Sequence, residues 1–106
     1  MDIDKPHPII DGPHNYQLIE FYWHLSPDDF YSTYLDLKLI KGGLTKKIRF
    51  YNPIQVQIDE GFSGNICGME IIDVRHQQLD NIGIEVRNFE QDPGITFKAK
   101  NVVEIE

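Results

Sequence analysis

Large apolar residues return at every second position over much of this chain. After Tyr16, the residues Ile19, Phe21, Trp23 and Leu25 fall on one side of an extended strand, and Leu18, Glu20, Tyr22 and His24 on the other, because successive strand side chains point to opposite faces. Large apolar groups on both sides predict a strand covered on both faces. Ser26-Pro27-Asp28-Asp29 reads as a type I turn, since proline presets the backbone at its second position, and a hairpin follows naturally. The alternative there is one short helix over residues 27–34, capped by Ser26 with Pro27 in its first position. Its aromatic and β-branched residues work against it.

Beyond Tyr34, Leu35, Leu37 and Leu39 face inward while Asp36 and Lys38 face outward. Gly42-Gly43 supplies the positive backbone angles of a tight hairpin turn, and residues 46–51 resume as a strand with Ile48 and Phe50 inside. Pro53 has no N–H for a ladder, which predicts a bend or bulge at Asn52-Pro53 before Ile54, Val56 and Ile58 alternate again. Residues 59–68 hold three glycines and no periodicity, and are expected to be the longest internal loop. A strand is predicted over 69–74, a single helical turn within 75–81, and a further strand carrying Ile82, Ile84 and Val86. Gln91-Asp92-Pro93-Gly94 is a hairpin-type connection to Ile95, Phe97 and Ala99. Near Asn101 the pattern slips by one residue, as a β-bulge makes it do, and Val103 and Ile105 close the chain.

The expected fold is mainly β: an antiparallel meander of about seven strands forming a curved sheet, sandwich or partly open barrel, with at most one short helix. Pro6, Pro8, Gly12 and Pro13 exclude a continuous helix or central strand from residues 1–15, which read as an extended Pro-rich arm; 16–106 read as a single β-rich domain.

Composition adds bounds. With 41% hydrophobic and 25% charged residues, the 106-residue chain has the make-up of a folded globular domain. No run approaches the roughly 20 apolar residues that span a bilayer, and the first residues lack the basic start and apolar run of a secretory signal. Cys67 has no second cysteine to pair with. Together these predict a cytoplasmic protein without membrane contact. Seventeen acidic residues against ten basic give a net charge of −7, which repels a phosphate backbone and argues against nucleic acid; it would attract a basic protein, although solubility is the commoner role of an acidic surface.

No cofactor, metal or catalytic residue is assigned. His7 and His14 flank Asp11, but on a proline-rich arm without the fixed geometry a metal needs, so a solvated tail is the expectation. Cys67 or a serine, with His24 or His76 as base, would make a nucleophile, yet the charges nearest Cys67 are acidic, the opposite of what activates a thiol. Glu20, Glu70 and Glu85 lie in predicted strands, where a glycosidase-like carboxylate pair competes with the commoner surface-facing acids. Gly61, Gly64 and Gly68 lack the spacing and lysine of a phosphate loop. Lys41, Lys46, Lys47 and Arg49 cluster about one hairpin, where they are expected to guard an edge strand. Core packing is expected to absorb most of Tyr16, Phe21, Tyr22, Trp23, Phe30, Tyr31 and Tyr34. Should Tyr22 and His24 emerge beside Glu20 on an open face, they would form rigid aromatic anchors for a partner.

The order of pieces resembles small bacterial proteins of unknown function, including immunity proteins of polymorphic-toxin systems. The likeness rests on His14-Asn15-Tyr16-Gln17-Leu18-Ile19-Glu20, then on Gly68-Met69-Glu70-Ile71-Ile72-Asp73-Val74 through Gly94-Ile95-Thr96-Phe97-Lys98-Ala99. It covers residues 14–106 and is one of pattern; Asn15 stands where such chains often carry aspartate. It implies no catalytic residue. The sequence thus predicts a non-enzymatic protein-interaction module, for which the resemblance implies an immunity-type inhibitor of a basic partner, binding through Glu20, Tyr22, His24, Asp59, Glu60 and Phe62. The alternative is a small-molecule-binding or hydrolytic β-barrel with its pocket near the 59–68 loop. A homodimer through an edge strand or through the two-sided first strand is a third form.

Overall fold

The computed structural model describes residues 5–77 and 82–105. They form β1 (Lys5–Pro6), β2 (Gln17–His24), β3 (Tyr34–Lys41), β4 (Leu44–Tyr51), β5 (Ile54–Ile58), β6 (Met69–Asp73), β7 (Ile84–Asn88), β8 (Ile95–Ala99) and β9 (Asn101–Ile105). Every pairing is antiparallel. The strands make two sheets, ordered β1-β6-β7-β8-β5 and β2-β3-β4-β9. The expected all-β class holds, as two sheets rather than a closed barrel. The meander is broken four times: the chain changes sheet between β1 and β2, between β4 and β5 and between β8 and β9, and it crosses its own sheet between β5, which pairs with β8, and β6. The predicted slip near Asn101 is this change of sheet; β9 pairs with β4 without a bulge, and Val102 rather than Val103 is buried.

Alternation builds the core. Leu35 and Leu37 of β3 lie opposite Phe50 and Ile48 of β4, and with Leu39 all five are fully buried. They share one cluster with Ile71, Ile84, Val86, Ile95, Phe97 and Ala99 of the other sheet. Phe50 and Phe97 join the two layers edge to face, with ring centres 4.8 Å apart. Each such side chain contributes about 1.5–3 kcal/mol by leaving water.

The punctuation behaves as expected at two places. Gly42 and Gly43 take φ of 57° and 85° in a two-residue turn between paired Lys41 and Leu44, angles that only glycine adopts freely. At Asn52-Pro53 the chain bends out of one sheet into the other, with Asn52 at φ 54° and buried.

Elsewhere the structure corrects the pattern. The arm is docked on the domain although much of it stays exposed: Lys5 and Pro6 pair with Asp73 and Ile72 of β6, Ile10 enters the common core, and Pro13–Asn15 form a 3-10 turn in place of extended chain. Residues 27–34 contain a single 3-10 turn, Phe30–Ser32, capped by Asp29 instead of Ser26. The helical turn expected in 75–81 appears as Arg75–Gln77; residues 78–81 lie outside the described ones. The hairpin with Lys41, Lys46, Lys47 and Arg49 guards no edge, because β4 lies between β3 and β9.

β2 is the largest departure. It is an edge strand, and its pairing with β3 shifts register between Leu18 and Glu20. Leu18 and Phe21 are half-buried against the core, but Ile19, Tyr22, Trp23 and Leu25 are exposed, so the strand is covered only in part on its inner side and is open on the other. Alternation reports which residues share a face; it is silent on whether another layer reaches that face.

Candidate functional site

The pleat and the antiparallel register place Glu20, Tyr22 and His24 together on the outer face of the four-stranded sheet, opposite Lys38, Asp36 and Tyr34. Here Glu20 takes an ion pair from Lys38 at 3.2 Å. His24 stacks on Tyr34 with ring centres 4.8 Å apart, and Tyr22 leans on Tyr34 at 6.1 Å. On Tyr34 also rests the Arg49 guanidinium, 3.7 Å from the ring centre. The hydrogen bonds to Asp36, followed by that carboxylate's charge, hold the Arg49 guanidinium above its ordinary pKa despite partial burial. The result is a braced aromatic and charged layer from which the Tyr22 ring, 55% exposed, projects.

The end of β2 and the turn after it expose further large side chains, with Trp23 on the other side of the strand from Tyr22. Trp23, Leu25, Phe30 and Tyr31 are all exposed, Leu25 and Tyr31 each by 63%. Hydrogen bonds hold the backbone of the turn. Asn52 Nδ2 donates to the Phe30 carbonyl at 2.8 Å, the Ser26 amide donates to Thr33 Oγ1, and Asp29 accepts from the Tyr31 amide and the Ser32 hydroxyl. Of the seven aromatic residues expected mainly in the core, Tyr22, Trp23, Phe30 and Tyr31 are exposed and Tyr16, Phe21 and Tyr34 half-buried. Periodicity could not find this patch; the concentration of aromatics within 16–34 was its one sequence signal.

The other three expected binding residues lie apart from this face, in the 59–68 loop. Asp59 Oδ2 accepts from the Gly94 amide at 3.0 Å while its own amide donates back to the Gly94 carbonyl, so it ties two loops together. Phe62 packs against the core. Glu60 is exposed. The loop closes on β2 through Gly64, whose carbonyl accepts from the Leu18 amide at 3.4 Å. Between residues 16–19 and 63–67 runs an open cleft of about 540 Å³, with exposed Cys67 on its wall. The Asn65 side chain accepts from the Cys67 amide.

The remaining candidates are separated. Glu20, Glu70 and Glu85 do not form a carboxylate pair: they are matched to Lys38, His14 and Arg87 in turn. On the arm, His7 Nδ1 accepts from the Ile9 amide at 3.0 Å, and burial lowers the imidazole below its ordinary value against the opposing charge of Asp73. Among the described residues no cluster of three or more His, Cys, Asp and Glu has the geometry to hold a metal, and no helix is long and apolar enough to cross a membrane. No protein-family model, curated protein or solved structure matches the chain.

Proposed function

We propose that the protein is a non-enzymatic interaction module that docks a basic partner protein through the end of β2 and the turn that follows. One observation carries this reading: Trp23, Leu25, Phe30 and Tyr31 stand exposed within nine residues of chain beside Asp28 and Asp29. Rigid aromatic side chains bury much area at low entropic cost and dominate interface energetics, while acids at the rim steer a cationic partner and make association salt-sensitive. The immunity-type resemblance suggests that docking inhibits the partner. Of the six residues read from sequence, Glu20, Tyr22 and His24 adjoin this patch, and Asp59, Glu60 and Phe62 drop out of the proposal.

The test is affinity capture from an extract of the source cells at low salt, with a salt gradient for release. A basic protein retained by the native chain should be lost on Trp23→Ala with Tyr31→Ala. It should survive Phe89→Ala, which removes an equally exposed ring elsewhere (65%). Retention that ignores the double substitution overturns the reading.

The 540 Å³ cleft beside the 59–68 loop favours a second reading, small-molecule binding between β2 and that loop. A small-molecule screen followed by amide chemical shifts tests it: hits should perturb residues 16–19 and 63–67 together, and hits elsewhere alone would sink it.

A further inference from the structure

Each sheet has two edges, and three of the four carry a device against strand pairing. β1 is two residues long and includes Pro6. β5 follows Pro53, holds Gln55 at φ 54° and shifts register between Ile54 and Gln57. β9 places Glu104 in the row of buried Ile48, a charge on the inward-facing side. Short edges, proline, bulges and inward charges all block strand addition.

β2 is protected only over its first half, by the register shift at Leu18 and Glu20 and by the Gly64 carbonyl on the Leu18 amide. From Phe21 to Leu25 there is no proline, lysine, arginine or bulge. We infer that this half-edge receives an extended segment of the partner as a fifth antiparallel or parallel strand, the segment alternating apolar and basic residues. The inference rests on the docking surface proposed above and states how that surface is used.

The alternation follows from the two sides of β2. A fifth strand continues both faces of the sheet, so every second side chain would lie beside Phe21, Trp23 and Leu25, and the others beside Tyr22 and His24. The first row is apolar. The second offers the exposed Tyr22 ring, and the neighbouring ring of Tyr34 already carries a guanidinium at 3.7 Å, which is the contact a lysine or arginine would repeat on Tyr22. Charge decides against an acidic segment or a second copy of this chain. Residues 17–35 contain Glu20, Asp28 and Asp29 and no lysine or arginine, on a chain of net charge −7. Lys38 matches Glu20, whereas no described cation pairs with Asp28 or Asp29.

The probe is an acetylated octapeptide alternating valine and lysine, with two controls: the same peptide N-methylated at every second residue, and a valine–glutamate version. Trp23 is the sole tryptophan, so its fluorescence reports occupancy, and amide exchange locates it. The basic peptide should shift Trp23 emission and slow exchange across residues 21–25. N-methylation, which removes backbone donors and keeps charge and side chains, should weaken binding at least tenfold, and the acidic peptide should not bind. Equal binding of the methylated peptide, or protection away from 21–25, overturns strand addition. If no peptide binds while capture still depends on Trp23 and Tyr31, strand addition falls and the docking surface stands; if that dependence fails too, both fall.

Discussion

Arg49 forks onto Asp36, its Nε and Nη2 donating to the two carboxylate oxygens at 2.8 and 3.0 Å. The pair sits on the outer face of a sheet, yet Asp36 is only 3% exposed. Tyr34 lies against Arg49, and Tyr22 stands in the register position opposite Asp36. A charge withdrawn from water in this way must keep its partner.

Arg49→Ala should therefore cost about 3 kcal/mol in urea unfolding, because it strands a buried carboxylate. Replacing both residues, Asp36→Leu with Arg49→Met, should recover most of that loss, since removal of a buried pair by apolar groups of similar volume is often neutral. A double variant no more stable than Arg49→Ala would mean that the pair stabilises the fold beyond satisfying itself.

Sequence reasoning reached the fold class and missed the exposure of the candidate site, for one physical reason. The alternation of Leu35, Leu37, Leu39, Ile48 and Phe50 encodes a buried face, and these residues are buried. The same period through Phe21, Trp23 and Leu25 encodes only a shared face; its exposure depends on how far the second sheet extends, a property of chain crossings after β4 and β8. The arm was obscured differently. Its prolines rule out a central strand, but an edge pairing of two residues and the single buried Ile10 leave no periodic trace.

The docked arm makes Ile10 a core residue. Ile10→Ala should destabilise the protein by about 2–3 kcal/mol, in the range of large-to-small core substitutions, measured by urea unfolding. For a free tail the change would be near zero.

Acid should loosen this arm. The Ile9 amide donates to His7 Nδ1 at 3.0 Å, a bond that requires that nitrogen unprotonated. Burial, partly offset by Asp73 and reinforced by Arg75, lowers the folded-state pKa of His7 below 6.5. The unfolded chain then binds the proton more readily, so stability is complete above 6.5 and falls as pH drops from there toward the folded value. Asp73, pulled down to about 2 chiefly by its hydrogen bond from Arg75, keeps its charge through that window. Melting temperatures between pH 7.5 and 5 should decline, and His7→Asn should flatten the decline; an unchanged slope would assign it to other groups.

Gly64 is the point where the 59–68 loop touches β2. It has φ of 98°, and a Cβ there would lie 2.9 Å from the Leu18 carbonyl oxygen. Gly64→Ala should cost at least about 1 kcal/mol through backbone strain and that contact, and should open the cleft beside Cys67. Ser63→Ala, in the same loop and exposed, should stay within about 0.5 kcal/mol of the native protein. Urea unfolding separates the two, and thiol-labelling rates at Cys67 report whether the loop has moved.

Trp23 and Phe97 both alternate inward in sequence but differ in what lies over them. Phe97 is 2% exposed and meets Phe50 edge to face, so Phe97→Ala should cost about 3–5 kcal/mol. Trp23, 37% exposed on an edge strand, should cost about 1 kcal/mol or less on truncation, near the range for surface positions. A small stability effect at Trp23 together with loss of partner capture would place that side chain's value at the interface. A core-sized loss at Trp23 would mean that it is held in the fold more firmly than its exposure implies, and capture data on Trp23→Ala would then need Tyr31→Ala alone to be interpreted.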